Sequence, residues 1–168
     1  MRALRIAICA LAAATVSQIA VVKAHAGDNT TVWSCQDGGL YQADSEPLGD
    51  REGHSLMVVD HSCRAESGLL AGGVMTYVNI WEWDGPKAVL LTQSAVIHKF
   101  GATLVFKGIE GNIALTMTDG KVTGWTSTGR FVYVLATGDW ASLNGKSGTW
   151  KSKSVGPGSQ FSCETTAE

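Results

Sequence analysis

Two residues four positions apart, Asp50 and His54, are the first candidates for chemistry in this chain. A carboxylate that orients an imidazole is a common arrangement for general acid–base catalysis. Turn chemistry explains the same residues without a reaction, because aspartate caps turns and histidine satisfies loop backbone groups. We favour the turn interpretation and keep both residues as catalytic candidates.

Glu82 is the third catalytic candidate, because it lies between two tryptophans in the run Trp81-Glu82-Trp83-Asp84. A carboxylate beside aromatic rings in a cavity retains its proton more readily and can act as an acid or a base. The alternative is a rim position at the end of a strand, where Glu82 and Asp84 would only be solvated.

Metal-ligating residue types also occur close together. His61 and Cys63 share one face of a strand because side chains alternate, and His98 could complete a site. The sequence has neither short-spaced cysteine pairs nor a helical histidine pair, so we expect no metal. We expect no cofactor either. The segment Asn144-Gly145-Lys146-Ser147 resembles the end of a phosphate loop but lacks the first glycine at the required spacing.

These side chains must be positioned by short strands. A pattern of a small hydroxyl residue, a glycine, any residue and an aromatic begins at Thr128, Thr137 and Ser147. That spacing is typical of short antiparallel strands joined by tight turns, and the strand at the second copy is expected over 140–143. Asp119-Gly120 is a strong hairpin signal. The sequence predicts an all-β fold, a single small antiparallel β-barrel of about eight strands.

The strongest predicted strand covers residues 74–83, and both of its faces are largely apolar. If Tyr77, Asn79, Trp81 and Trp83 point inward, they form a ligand-binding wall of apolar area with a few hydrogen-bonding groups. The opposite face then needs an intrachain cover or a second subunit, which would make a homo-oligomer. The sequence leaves open which face lies inside.

The N-terminus has the features of a secretory signal. A basic start precedes an apolar stretch over 6–22, and Ala24-His25-Ala26 has the small-x-small form of a cleavage site. The sequence predicts a signal peptide over 1–26 and a barrel domain over 27–168, exported to the periplasm or secreted. A retained membrane anchor is the alternative, but the apolar stretch is short for a full span.

The charge of the chain limits its partners. Cleavage after residue 26 removes three basic residues and no acid, which changes the net charge from −2 to −5. Without a basic cluster, nucleic acid is a poor partner, and an anionic membrane surface is disfavoured for the same reason. We expect a small apolar or aromatic molecule as the partner, and no membrane association after cleavage.

Signal cleavage would leave Cys35, Cys63 and Cys163 in an oxidising environment, where one disulfide is expected and three pairings are open. Closing a barrel brings the first and last strands together, so Cys35–Cys163 is the preferred pair. Cys63 would then be a buried free thiol.

Two segments resemble bacterial members of the allene oxide cyclase barrel-like group. The first is Pro47-Leu48-Gly49-Asp50 with Gly53-His54, and the second is the late run over 136–140 with 145–150. The resemblance implies an eight-stranded antiparallel barrel with a central cavity, often oligomeric, in a group that also resembles plant dirigent proteins. Some relatives in that group guide the cyclisation of reactive small molecules.

Three functions are consistent with these features. The first is binding of a small apolar or aromatic ligand in the barrel. The second is a cofactor-free cyclase or isomerase, in which the cavity positions a reactive substrate and Glu82 or His54 moves a proton. The third is a structural or assembly protein of the envelope whose lumen is filled with side chains.

Overall fold

The computed structural model describes residues 29–38, 44–155 and 159–168, which form a nearly all-β structure. The predicted signal peptide over 1–26 lies outside the described residues. The strands are β1 Thr30–Asp37, β2 Asp44–Pro47, β3 His54–Gly68, β4 Val74–Asp84, β5 Lys87–Lys99, β6 Ala102–Thr118, β7 Lys121–Ala136, β8 Ser147–Ser154 and β9 Gln160–Ala167. In the described part of the chain, no helix has the length and apolar character needed to span a membrane.

The sheet closes on itself. Its order is β1-β9-β8-β7-β6-β5-β4-β3, and β1 also pairs with β3, so eight antiparallel strands form a barrel. The short strand β2 pairs with 55–58 of β3, beyond the end of β1. The predicted small antiparallel barrel is therefore confirmed.

The strand predicted over 140–143 is wrong, because the chain forms a 3₁₀ helix over Gly138–Leu143 between β7 and β8. Gly138 has a φ of 58°, in the left-handed region that favours glycine. A Cβ at this position would lie 2.1 Å from the carbonyl oxygen of Gly101. The second copy of the glycine pattern thus turns the chain out of the sheet.

The disulfide joins Cys35 to Cys63, so the predicted Cys35–Cys163 pair is wrong. Strand β1 does lie beside β9, but in that register Cys35 is opposite Phe161 and Cys163 is opposite Trp33. On the other side of β1, Cys35 lies directly opposite Cys63. Every strand of a closed barrel has two neighbours, so adjacency of β1 and β9 did not identify the partner. Of the three cysteines in the described residues, Cys163 is therefore the free one, and it is buried.

One end of the barrel is filled with side chains. We call it the lower end, where the turn between β3 and β4 and the 3₁₀ helix lie. Leu70 from that turn and Trp140 from the helix are almost fully buried, and they belong to the same core as Met75, Ile97 and Leu104. This packing closes the lower half of the lumen.

Strand β4 shows which of its faces lies inside. Tyr77, Asn79 and Trp81 are buried on the inner face, while Val74 and Val78 on the outer face are 53% and 47% exposed. Within the described residues, no loop or helix covers these two valines. A homo-oligomer that would cover them stays a prediction.

Candidate functional site

The upper half of the barrel encloses a cavity of about 210 Å³. Eight of the residues that line it are tryptophan, tyrosine or phenylalanine, namely Tyr77, Trp81, Trp83, Phe106, Trp125, Phe131, Trp150 and Phe161. Pockets for drug-sized ligands occupy about 300–1,000 Å³. A cavity of the size found here suits a smaller molecule, of one or two rings.

All four residues predicted to bind a ligand line this cavity. Tyr77, Asn79, Trp81 and Trp83 alternate along β4 with outward-facing residues. Their contact with a ligand stays a prediction, and the structure supplies the geometry for it.

Several buried polar atoms of the cavity-lining residues lack hydrogen-bond partners among the described residues. They are the oxygens Asn79 Oδ1 and Gln93 Oε1 and the indole nitrogen Trp83 Nε1. An unpartnered buried polar group costs about 1–3 kcal/mol, so native structures satisfy nearly all of them. These atoms indicate where a bound molecule or a water would form hydrogen bonds.

A carboxylate–imidazole pair also lies on the inner face. Asp37 is the last residue of β1 and His61 is directly opposite it on β3, with 2.7 Å between Asp37 Oδ1 and His61 Nδ1. His61 is 8% exposed. On the other side of the ring, Asn79 Nδ2 lies 3.3 Å from His61 Nε2. An amide nitrogen can only donate, so Nε2 is the acceptor and Nδ1–H donates to Asp37.

Tyr77 lies opposite His61 on the next strand, and the centroids of the two rings are 4.4 Å apart. Burial raises the pKa of Tyr77 well above its ordinary value, and the nearby Cys163 and Asp37 add to this effect. Burial likewise raises the pKa of Cys163 to about 11. Both groups therefore keep their protons at neutral pH, so they are potential donors but not bases.

From the sequence, His61 is a candidate only for the metal site, and Asp37 is predicted to belong to a turn and not to a site. The relevant signal is the spacing to the cysteines, because Asp37 follows Cys35 by two residues and His61 precedes Cys63 by two. Once Cys35 is opposite Cys63 in an antiparallel pair, Asp37 must be opposite His61.

The three catalytic candidates from the sequence come together on the outer face of the barrel. His54 contacts Asp50 through Nδ1 and Glu82 through Nε2, the latter at 2.9 Å. None of the three lines the cavity. Beside them Arg51 Nη2 donates to Asp84 at 3.0 Å.

The hydrogen bonds that His54 donates to Asp50 and then to Glu82 raise the pKa of His54, and the bond that Asp50 accepts from His54 lowers the pKa of Asp50. These interactions join five side chains into a cluster that we call the charged clasp, formed by Asp50, Arg51, His54, Glu82 and Asp84. It attaches the loop before β3 to the end of β4. This arrangement favours the structural interpretation of Asp50 and His54.

The residues of the metal-site hypothesis are separated in the fold. Cys63 is in the disulfide, and His98 lies on the outer face of β5, where its Nδ1 is 3.1 Å from the hydroxyl of Thr103. Over residues 29–38, 44–155 and 159–168, no group of three or more His, Cys, Asp or Glu side chains is arranged to hold a metal ion.

Comparison of the chain with protein-family models, with curated proteins and with solved structures finds no match. The function must therefore be inferred from the geometry of the cavity. Two properties define it: an aromatic wall and a small set of buried polar groups.

Proposed function

We propose that this protein binds a small, uncharged aromatic or apolar molecule inside its barrel. The observation that carries the proposal is the cavity of about 210 Å³, lined by aromatic rings and by buried polar atoms without partners. Burial of an apolar ligand is worth about 25 cal/mol for each Å² removed from water, which supplies the affinity. The polar atoms supply the orientation.

The polar groups narrow the class of ligand. Asn79 Oδ1 and Gln93 Oε1 are acceptors, so they favour a ligand with a hydroxyl or amine donor. Asp37 at the cavity disfavours an anion, since like charges repel. A neutral phenol or a small cyclic alcohol fits these acceptors, and a small cyclic ketone would instead accept a hydrogen bond from Trp83 Nε1–H.

Export and family membership belong to the same proposal. The Cys35–Cys63 disulfide supports an oxidising compartment, because such bonds persist outside the cytosol. The eight-stranded barrel with an internal cavity supports membership of the allene oxide cyclase barrel-like group.

The other two functions fit the structure less well. A lumen filled with side chains, as an assembly protein would have, is found only at the lower end of this barrel. A cyclase that uses Glu82 or His54 as its acid or base would need those groups inside, and they lie on the outer face.

Isothermal titration calorimetry with 2-naphthol and its methyl ether tests the proposal. We expect saturable binding of 2-naphthol and about fivefold weaker binding of the ether, because one hydrogen bond is worth about 1 kcal/mol. Asn79→Leu should remove the difference between the two compounds. Asn112→Leu, on the exposed outer face of β6, is the matched control and should preserve it. Absence of binding by both compounds at millimolar concentration would refute the proposal.

A further inference from the structure

Asp37, His61 and Tyr77 occupy directly opposed positions on β1, β3 and β4, and all three line the cavity. We propose that the cavity is also a catalytic site, in which His61 removes a proton from a carbon next to a carbonyl group of the bound molecule. The reaction class is isomerisation by proton transfer, and the substrate class is a small neutral ketone carrying an aromatic or apolar ring. This inference rests on the proposed function, because the substrate must first enter the cavity.

The proton arrangement on His61 suits a base. Its Nδ1–H is committed to Asp37 at 2.7 Å, so its Nε2 carries the lone pair. That lone pair meets only a long contact, 3.3 Å, from Asn79 Nδ2. A bound molecule can replace this weak contact at little cost.

The network differs from that of a histidine buried only for structure. Asn79 uses its nitrogen on His61 and leaves its own Oδ1 without a partner among the described residues. A polar network that serves packing alone is expected to satisfy all its members, because each unsatisfied atom is costly at low dielectric. Here the unsatisfied atom belongs to a residue of the cavity wall.

Asp37 is the positioning residue. Its carboxylate holds one tautomer of His61 and stabilises the imidazolium that forms when His61 accepts a proton. Asp37 is partly exposed, with 32% of its side chain accessible, whereas His61 is buried. Asp37 therefore supplies the negative charge that compensates the imidazolium. Among the described residues that line the cavity, it is the one carboxylate.

Tyr77 supplies the complementary group. Its hydroxyl keeps its proton because burial raises the pKa of Tyr77 well above the ordinary value. A protonated phenol can donate a hydrogen bond to an oxygen that becomes negative. Among the described residues that line the cavity, the titratable groups besides His61 are Asp37 on β1, Tyr77 on β4 and Cys163 on β9. Tyr77 and Cys163 keep their protons at neutral pH because burial raises the pKa of each.

In the proposed step, the His61 Nε2 lone pair takes the proton from the carbon. The C–H electron pair forms a carbon–carbon double bond while the carbonyl π pair moves to oxygen, which accepts a hydrogen bond from the Tyr77 hydroxyl. The imidazolium then returns a proton to the same carbon, after exchange with solvent. Where the substrate carries a carbon–carbon double bond conjugated with the enolate, the proton returns instead to the far carbon of that double bond, which completes an isomerisation. Atoms and electrons balance, and no oxidant or cofactor takes part.

Exchange of the α-protons of 2-tetralone in D₂O, followed by proton NMR, tests this step on the purified protein. The wild type should exchange these protons about 100-fold faster than His61→Gln, as expected for loss of a general base. His54→Gln is the matched control, because His54 is also paired with a carboxylate but is on the outer face of the barrel and does not line the cavity, and it should retain the wild-type rate. 2-Naphthol, which resembles the enol of 2-tetralone, should inhibit the exchange competitively.

Asp37→Asn separates a positioning role from a structural one. We expect the exchange rate to fall at least about tenfold while the dissociation constant of 2-tetralone changes less than twofold, because the carboxylate acts on the imidazolium and not on the ketone. Asp37→Glu should restore part of the rate. If near-UV circular dichroism shows that His61→Gln does not fold, Asp37→Asn and Tyr77→Phe test the proton transfer in its place. Each of these variants should slow the exchange without loss of 2-tetralone binding.

The outcomes distinguish the two proposals. If 2-tetralone binds but the wild type exchanges its protons no faster than the Asp37 and His61 variants, the catalytic inference is wrong and the binding function stands. If neither 2-tetralone nor 2-naphthol binds, both proposals are wrong.

Discussion

Asp37 lies directly opposite His61 across the β1–β3 pairing, two residues along both strands from the disulfide between Cys35 and Cys63. Side chains alternate along a strand, so the disulfide and the carboxylate–imidazole pair share the inner face. A slip of one residue would carry His61 to the outside. The register of the β1–β3 pairing shifts between Val32 and Trp33. The disulfide lies between this shift and the Asp37–His61 pair. The covalent bond therefore separates this irregular stretch from the site and fixes the register that the site requires.

Removal of the disulfide should damage both stability and binding. The double variant Cys35→Ser/Cys63→Ser opens a loop with a sequence separation of 28 residues. Loop entropy predicts a loss of about 3–4 kcal/mol in the free energy of unfolding. Because the register of β1 is then held only by hydrogen bonds, we also expect weaker binding of 2-naphthol. Urea unfolding and calorimetry measure the two effects.

Cys163→Ala is the control for that variant. It removes a buried thiol from the same barrel wall without touching a crosslink, and should cost about 1 kcal/mol. Equal stability of the two variants would contradict the role assigned to the disulfide.

The free thiol of Cys163 should be unreactive in the folded protein. Cys163 is 5% exposed, and burial raises its pKa to about 11, so the reactive thiolate is scarce at neutral pH. For the chain beginning at Gly27, we expect Ellman's reagent to label no thiol under native conditions and one thiol per chain in urea. Three thiols in urea would show that Cys35 and Cys63 are not joined, and rapid native labelling would place Cys163 at the surface.

The barrel was predictable from the sequence because hairpin turns and alternating strands are local signals. The inner face of β4 was not predictable, since Val74, Val78 and Ile80 are as apolar as the residues between them. The packing of the lower end determines which face of β4 lies inside. Met75 belongs to the buried core there, and Tyr77 points inward as well because it lies two residues further along the same strand.

The candidate site could be predicted only in part from the sequence, for a related reason. Glu82 lies between Trp81 and Trp83, and in a regular strand it must face the opposite way from both. The same alternation that put the tryptophans in the cavity thus excluded Glu82 from it. Asp37 and His61 are brought together by strand register, which the sequence does not specify until the disulfide pairing is known.

The charged clasp on the outer face should make the free energy of unfolding depend on pH. The pKa of His54 is raised by Asp50 and Glu82, so the protonated imidazole is favoured in the folded state. Its contribution is complete below the unfolded value of about 6.5 and is lost as pH rises through the higher folded pKa. The pKa of Asp50 is lowered, so its contribution is lost only in acid, as pH falls below about 3.8.

His54→Gln should therefore lower the free energy of unfolding most between about pH 4 and pH 6.5, and progressively less above that range. Urea midpoints of wild type and variant across this range measure the difference. His98→Gln, at an exposed histidine beside the Thr103 hydroxyl and away from the carboxylates of the clasp, is the matched control and should show only a small difference. A cost of His54→Gln that grows with rising pH would contradict the assigned hydrogen bonds.

Gly129 and Gly111 are directly opposed on β7 and β6, and the indole of Trp150 packs against both. Gly129 does not have a positive φ, so Gly129→Ala acts through contact and not through backbone strain. Its Cβ would lie 2.2 Å from the Trp150 ring and 2.3 Å from the carbonyl oxygen of Glu110. Since Trp150 also lines the cavity, displacement of its ring changes the binding site as well as the packing.

We expect Gly129→Ala to lower the free energy of unfolding by about 1–3 kcal/mol, the range for overpacking. It should also weaken 2-naphthol binding, because the displaced indole of Trp150 takes up cavity volume. Thr128→Ala, at the adjacent outward-facing position, should change stability by less than about 0.5 kcal/mol and leave binding intact. Urea unfolding and calorimetry on the same samples test both effects. A destabilised Gly129→Ala that still binds 2-naphthol as the wild type does would mean that the ligand does not occupy the Trp150 side of the cavity.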